Sequence, residues 1–108
     1  MTPENRIKYA ICNWLRTQNC FFWSQDNLGV YDPIKKCFRK SHNPFRLRGV
    51  ADILGVWNGT FFAIEVKTKT GRVSDYQKSF IEQVNKHNGH AIVARSLEDV
   101  IAVFSGGC

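Results

Sequence analysis

An α/β fold, in the form of an α+β mixed sheet covered by helices, is what three features of this 108-residue sequence predict. The first is an amphipathic stretch near the N-terminus. The second is a pair of apolar runs joined by Asn58-Gly59. The third is a helix–strand–helix run that follows them. Together they give the order α, β, basic excursion, β, β, α, β, α within a single domain spanning residues 1–108.

Each element has a local cause. Ile7, Ala10, Ile11, Trp14 and Leu15 recur at the i, i+3, i+4, i+7, i+8 spacing of a helix with one apolar face. Thr2 can cap that helix and Pro3 suits its first turn, so it is predicted from Pro3 to about Gln18. Cys20 to Ser24 is a short aromatic run that reads as a strand. Residues 25–48 are rich in turn formers and carry Lys35, Lys36, Arg39, Lys40, Arg46 and Arg48, with Tyr31, Phe38 and Phe45 among them. They read as an excursion, a loose hairpin at most, rather than as core. Ala51–Trp57 and Thr60–Lys67 are the strand pair. A helix follows from Ser74, with Phe80, Ile81 and Val84 turned inward and Asn88-Gly89 as its stop. Ala91–Arg95 reads as a buried strand, and Ser96 caps a last helix through Phe104.

Composition narrows the class. The hydrophobic share of 44% and aromatic share of 13% suit a packed domain. No apolar run approaches the roughly 20 residues of a membrane helix, and the N-terminus lacks the order of a signal peptide. A cytoplasmic protein without membrane contact is expected. Fifteen Lys and Arg against nine Asp and Glu give a net charge of +6, which favours a polyanionic partner such as nucleic acid. Cys12, Cys20, Cys37 and Cys108 form no CxxC pair and no zinc-like spacing, so they read as reduced, mostly buried thiols.

The chemistry concentrates in the strand pair. Asn-Gly between apolar runs is a strong signal for a two-residue hairpin, because both turn positions need positive φ. Such a turn sets the register, and with Trp57 opposite Thr60 it places Asp52 directly across from Glu65 on one face. Their Cβ atoms are then about 4.5–5.5 Å apart. Lys67, two residues beyond Glu65, shares that face, while Ile53, Ile64 and Val66 point to the other. Gly55 inside the first strand could mark a bulge that would break this register. Opposed carboxylates repel, and the usual compensation is a shared proton or a bound cation. A solvated Glu65–Lys67 ion pair beside an exposed Asp52 is the plainer alternative, and the strongly apolar surroundings argue against it.

Two acids and an amine suit phosphodiester hydrolysis. Mg2+ takes oxygen ligands and keeps several waters, so one or two carboxylates plus a substrate phosphate suffice. A bound ion acidifies water and neutralises phosphate charge, and a lysine beside it can stabilise the transition state. No serine or cysteine nucleophile and no small-molecule cofactor is needed. His42, His87 and His90 are scattered over loop and helix-end positions and read as surface residues.

These residues resemble the D…(D/E)-x-K signature of the PD-(D/E)xK nuclease superfamily, with its restriction-endonuclease-like core. More closely, the chain resembles the virus-type replication-repair nuclease (VRR-NUC) family in its short, stand-alone phage form. The likeness is carried by Gly49-Val50-Ala51-Asp52-Ile53-Leu54-Gly55, by Phe62-Ala63-Ile64-Glu65-Val66-Lys67, by Gly71-Arg72-Val73-Ser74, and by Gln77. It covers most of the chain and is weakest over residues 25–45. Ala51 stands where the superfamily expects proline, at a position that does no chemistry.

The resemblance implies a Mg2+-dependent endonuclease, with Mn2+ able to substitute. Asp52, Glu65 and the Val66 carbonyl would bind the metal, Lys67 would be the catalytic lysine, and Glu4 and Gln77 would complete the site. Lys69, Arg72, Ser74, Arg46 and Arg48 would contact nucleic acid. Several of these have a second reading. Ser74 and Gln77 also spell a helix capping box, Glu4 is favoured by the helix dipole, and any single basic residue can be plain solvated charge. The family likeness further implies branched DNA as substrate, in the manner of a Holliday-junction resolvase working as a homodimer. A non-cleaving DNA-binding module, a nuclease subunit and an enzyme for plain duplex are the alternatives.

Overall fold

Thr2 starts the chain's first helix by accepting the Asn5 N–H on its Oγ1 at 3.2 Å, with Pro3 next in line. The computed structural model describes residues 1–25, 30–32, 37–39 and 44–104, with 30–32 and 37–39 described by their backbone. Helix α1 spans Pro3–Leu15, and strand β1 follows at Phe21–Ser24. Strands β2 (Val30–Asp32) and β3 (Cys37–Arg39) form a separate antiparallel pair, so the described part of the excursion is a strand pair. Lys35, Lys36, Lys40 and His42 lie outside the described residues. Strands β4 (Ile53–Trp57) and β5 (Thr60–Val66), helix α2 (Asp75–Lys86), strand β6 (His90–Ala94) and helix α3 (Leu97–Phe104) complete the chain.

Four strands make one mixed sheet in the order β1-β4-β5-β6. The β1–β4 and β4–β5 pairs are antiparallel, whereas β5–β6 is parallel, as a crossover through α2 requires. Asn58 and Gly59 both have positive φ (52° and 80°), and Trp57 pairs with Thr60, Leu54 with Ala63 and Ile53 with Ile64. The register is therefore the one that the turn predicts. Gly55 makes no bulge, because it pairs regularly with Phe22 and with Phe62. A Cβ there would stand 2.5 Å from the Phe21 carbonyl oxygen and 2.5 Å from the Phe62 ring. Close approach of a neighbouring strand and an aromatic ring, not a ladder defect, is what excludes a side chain.

The two faces of the sheet differ in kind. Helices α1 and α3 cover one face, where Ile11, Leu15, Ile53, Phe62, Ile64, Val66, Val100 and Phe104 are buried together. At about 1.5–3 kcal/mol for each buried large side chain, this face supplies most of the hydrophobic stabilisation. Trp57 lies against it, stacked on Phe104 with centroids 5.8 Å apart and tilted against Trp14 at 6.0 Å. Helix α2 covers the other face through Phe80, Ile81 and Val84, over Ala51, Leu54, Ala63 and Ala91. That layer is thin, and no residue of α2 is fully buried.

Most boundaries shift by one to three residues, for local reasons. Helix α1 stops at Leu15 because Thr17 and Gln18 turn back on the Trp14 and Leu15 carbonyls. Strand β4 begins at Ile53 rather than Ala51, because the Val66 N–H is taken by the Asp52 side chain. Helix α2 ends in a Schellman turn: Asn88 has φ 70°, and the Gly89 N–H reaches the Val84 carbonyl at 2.9 Å. Cys12 and Cys20 are half-buried free thiols, and burial raises both pKa values. The Cys37 side chain and Cys108 lie outside the described residues. Among those residues, no helix is long and apolar enough to cross a membrane.

Gly55→Ala is expected to destabilise the fold by about 1–3 kcal/mol, since added volume meets backbone and a packed ring. Gly59→Ala meets open space and is charged only for positive φ, about 1–2 kcal/mol. Urea midpoints of the two variants check both. A Gly55→Ala protein as stable as the parent would mean that β1 and Phe62 do not crowd this strand.

Candidate active site

Carried one residue past the Ile53–Ile64 rung, the β4–β5 register sets Asp52 opposite Glu65. Asp52 is locked from two sides. Its carbonyl accepts the Gln25 N–H at 2.7 Å, and its Oδ2 accepts the Val66 N–H at 2.9 Å. The second bond replaces the ladder bond that Val66 would otherwise make, so the carboxylate is held where the strand pair opens. Glu65 is only 2% exposed and is the one buried charged residue among those described.

Gln77 resolves its two sequence readings by being both. Its Oε1 accepts the Ser74 N–H at 2.9 Å while its N–H donates to Ser74 Oγ at 3.2 Å, completing a capping box at the start of α2. The cap orients the amide, and the remaining end, Nε2, donates to Glu65 Oε1 at 3.1 Å. Gly49 brings the elements together. Its φ is +79°, and a Cβ on it would stand 2.4–2.6 Å from the backbone of Tyr76 and Gln77. Only glycine lets the segment before Asp52 pass this close to the first turn of α2.

The electrostatics follow from burial. Glu65 is pushed up to about 8, first by desolvation and then by the charge of Asp52 and a hydrogen bond with it. Lys67 lowers it, and Glu4 adds the smallest upward push. Glu65 Oε2 is buried with no donor from any other residue reaching it, so only a proton shared with Asp52 can bond it. An orphaned carboxylate oxygen facing a second carboxylate fits a hard divalent cation. Among the described residues no three His, Cys, Asp or Glu side chains group to hold an ion. A cation here would complete its shell with a backbone carbonyl, water or phosphate oxygens, as Mg2+ commonly does.

The other predicted residues spread around this centre. Lys67 follows β5 half-buried, its N–H bonded to the Ala94 carbonyl at 3.0 Å. Glu4 is exposed in the first turn of α1, on the side of the molecule from which its charge reaches Glu65. Lys69, Arg72 and Arg46 are exposed. Arg48 lies over the Tyr76 ring at 5.3 Å and reaches its hydroxyl at 3.3 Å, so it lies against α2. Ser74 Oγ is engaged by the cap. His87 and His90 are exposed, as expected. The sequence marks Arg95 only as a strand end, yet its guanidinium binds carbonyls of the segment after Lys67. Its partners lie more than twenty residues away in sequence, and no local pattern announces them.

In the metal-free protein, folding retains the Glu65 proton up to about pH 8, whereas an ordinary glutamate releases it near 4.5. Stability is therefore lost as pH rises through that window, by up to roughly 5 kcal/mol. Glu65→Gln cannot lose a proton. Its stability in EDTA is expected to gain on wild type from pH 4.5 to 8, read by urea unfolding. A difference independent of pH would contradict the buried, protonated carboxyl.

Comparison with known proteins agrees with this fold. Residues 4–98 match the VRR-NUC domain. A solved structure described as a VRR-NUC domain protein superimposes with a TM-score of 0.65 at 18% identity, over 94% of this chain and 84% of that one. At that identity the likeness concerns the fold. No curated protein matches the chain significantly. With the domain match running over nearly its whole length, the chain belongs to the VRR-NUC family of nucleases.

Proposed function

We propose that the protein is a divalent-metal-dependent endonuclease that cleaves structured DNA, and that Asp52, Glu65 and Lys67 form its catalytic centre. The observation that carries this reading is Glu65: buried, opposed by Asp52, and left with one unpartnered oxygen. A fold does not keep such a group for stability, because a buried carboxyl without compensation costs free energy. Asp52, Glu65 and the Val66 carbonyl would hold Mg2+ or Mn2+, which when bound acidifies water and neutralises charge on the scissile phosphate.

The chain's own residues have distinct tasks. Asp52 Oδ2 is preset by the Val66 N–H, so the carboxylate does not need to reorganise when a cation arrives. Gln77 fixes Glu65 Oε1 and leaves Oε2 for coordination. A cation held there would have to displace the Glu65 proton, so its affinity would rise with pH. Lys67 stands at the open end of the pair, where its ammonium can bind a phosphate oxygen or orient the attacking water. Glu4 acts at longer range, by its charge. Lys69, Arg72, Arg46 and Arg48 are exposed cations able to neutralise phosphates.

Branched DNA and a homodimer belong to the same reading. One centre per chain cuts one strand, and paired cuts across a junction require two copies. The exposed aromatic residues of β1, with Phe21 68% and Trp23 39% exposed at the edge of the sheet, support a second copy. A replication or repair role follows from such a substrate.

Labelled four-way junction and matched duplex incubated with Mg2+ test the chemistry. Cleavage is expected to stop in EDTA and to fall by about 10²-fold or more in Glu65→Ala and Lys67→Ala. Metal-dependent cutting that survives either substitution would refute the assignment. Binding without cleavage of any DNA or RNA would turn the protein into a binding module. Light scattering is expected to give twice the monomer mass, and a monomer at working concentration would remove the dimer.

A further inference from the structure

We infer that Arg95 is a positioning residue for Lys67, acting through the turn at residues 68–71. The inference rests on the nuclease reading of the site. The Arg95 guanidinium gathers three carbonyls of this turn on Nη1: those of Thr68, of Lys69 at 3.3 Å and of Gly71 at 2.9 Å. The turn closes on itself through the Gly71 N–H and the Thr68 carbonyl at 3.2 Å.

Gly71 is where the turn meets the site. A Cβ on it would lie 3.5 Å from Lys67 Cδ and 3.2 Å from Thr68 Oγ1, so the turn packs along the stem of the lysine. Lys67 is also tied at its backbone, by the N–H bond to the Ala94 carbonyl at 3.0 Å. Arg95, the next residue in the chain, is itself anchored. Its N–H donates to Asp99 Oδ2 at 2.9 Å, and the Asp99 N–H bonds to Ser96 Oγ at 3.3 Å at the start of α3.

The physical need is clear from the charges. Lys67, Lys69 and Arg72 crowd one short segment, and like charges drive a free loop apart. Three carbonyl dipoles converging on one point repel one another, and a cation offsets this best, through charge-assisted bonds. Arg95 supplies it, and so holds the turn against the lysine. Displacement of a catalytic group by about 1 Å can cost about 10²-fold in rate. A change at Arg95 therefore reaches chemistry without Arg95 touching substrate.

The test compares wild type, Arg95→Gln, Arg95→Lys and Lys67→Ala, by cleavage kinetics on junction DNA and by amide hydrogen exchange of the metal-free protein. In Arg95→Gln, the Gly71 amide, bonded to the Thr68 carbonyl that Arg95 also holds, is expected to exchange at least tenfold faster while those of β4 and β5 do not change. The same variant is expected to lose at least tenfold in kcat with KM within about threefold. Because all three bonds use one nitrogen, the ammonium of Arg95→Lys is expected to recover most of kcat. If Arg95→Gln lowers Tm sharply, Arg95→Met keeps the stem and replaces it. Exchange of the Gly71 amide unchanged from wild type, or a loosened turn with kcat within twofold, overturns the inference. A change in KM alone makes Arg95 a binding element and overturns it as well. Wild type inert on every nucleic acid would refute the nuclease reading, and the exchange data would still judge the clamp.

Discussion

The β4–β5 pairing, locked by a two-residue turn with positive φ at both positions, is the constraint on which the rest depends. Side chains alternate across a strand, so a slip of one residue would exchange the faces. Ile53, Ile64 and Val66 would then meet α2, and Asp52 and Glu65 would be driven into the apolar layer under α1 and α3. Burying an unpaired charge there costs more than any single core contact returns. Register, core and site are thus one choice, made at Asn58-Gly59.

The unequal faces of the sheet follow. The α1/α3 side holds the large aliphatic and aromatic side chains. The α2 side is built on Ala51, Ala63 and Ala91 with Leu54, residues small enough for a helix to lie close to the sheet. That closeness lets a glutamine on α2 reach a glutamate on β5. It also explains Gly49, which removes the last obstacle between the segment before Asp52 and the backbone of α2. Most of the apolar burial lies on one face, and a buried, charged arrangement is tolerated on the other.

Gln77 ties the start of α2 to the candidate site through a single amide. Its oxygen serves the helix cap and its nitrogen serves Glu65. The cap also sets which end of the amide faces the carboxylate. Glu65 in turn holds its proton because it is buried and faces Asp52. A cation bound as proposed would compete with that proton for Oε2, an oxygen that no donor from another residue reaches.

Much of this was legible in the sequence, because the signals are local. The Asn-Gly turn fixes the register, strand parity puts Asp52, Glu65 and Lys67 on one face, and Ser74-x-x-Gln77 marks the start of a helix. Ordered motifs from Gly49 to Gln77 carry the family resemblance. Strand and helix limits drifted because each is set by a partner: Asp52 ends a ladder by taking the Val66 N–H. Other features exist only in the folded molecule. Gln77 meets Glu65, Gly49 touches the backbone of α2, and Arg95 closes around carbonyls 24 to 27 residues away. The sequence by itself determined which residues share a face, since that depends on backbone periodicity. Only the tertiary structure decided which faces meet, since that depends on how the helices pack on the sheet.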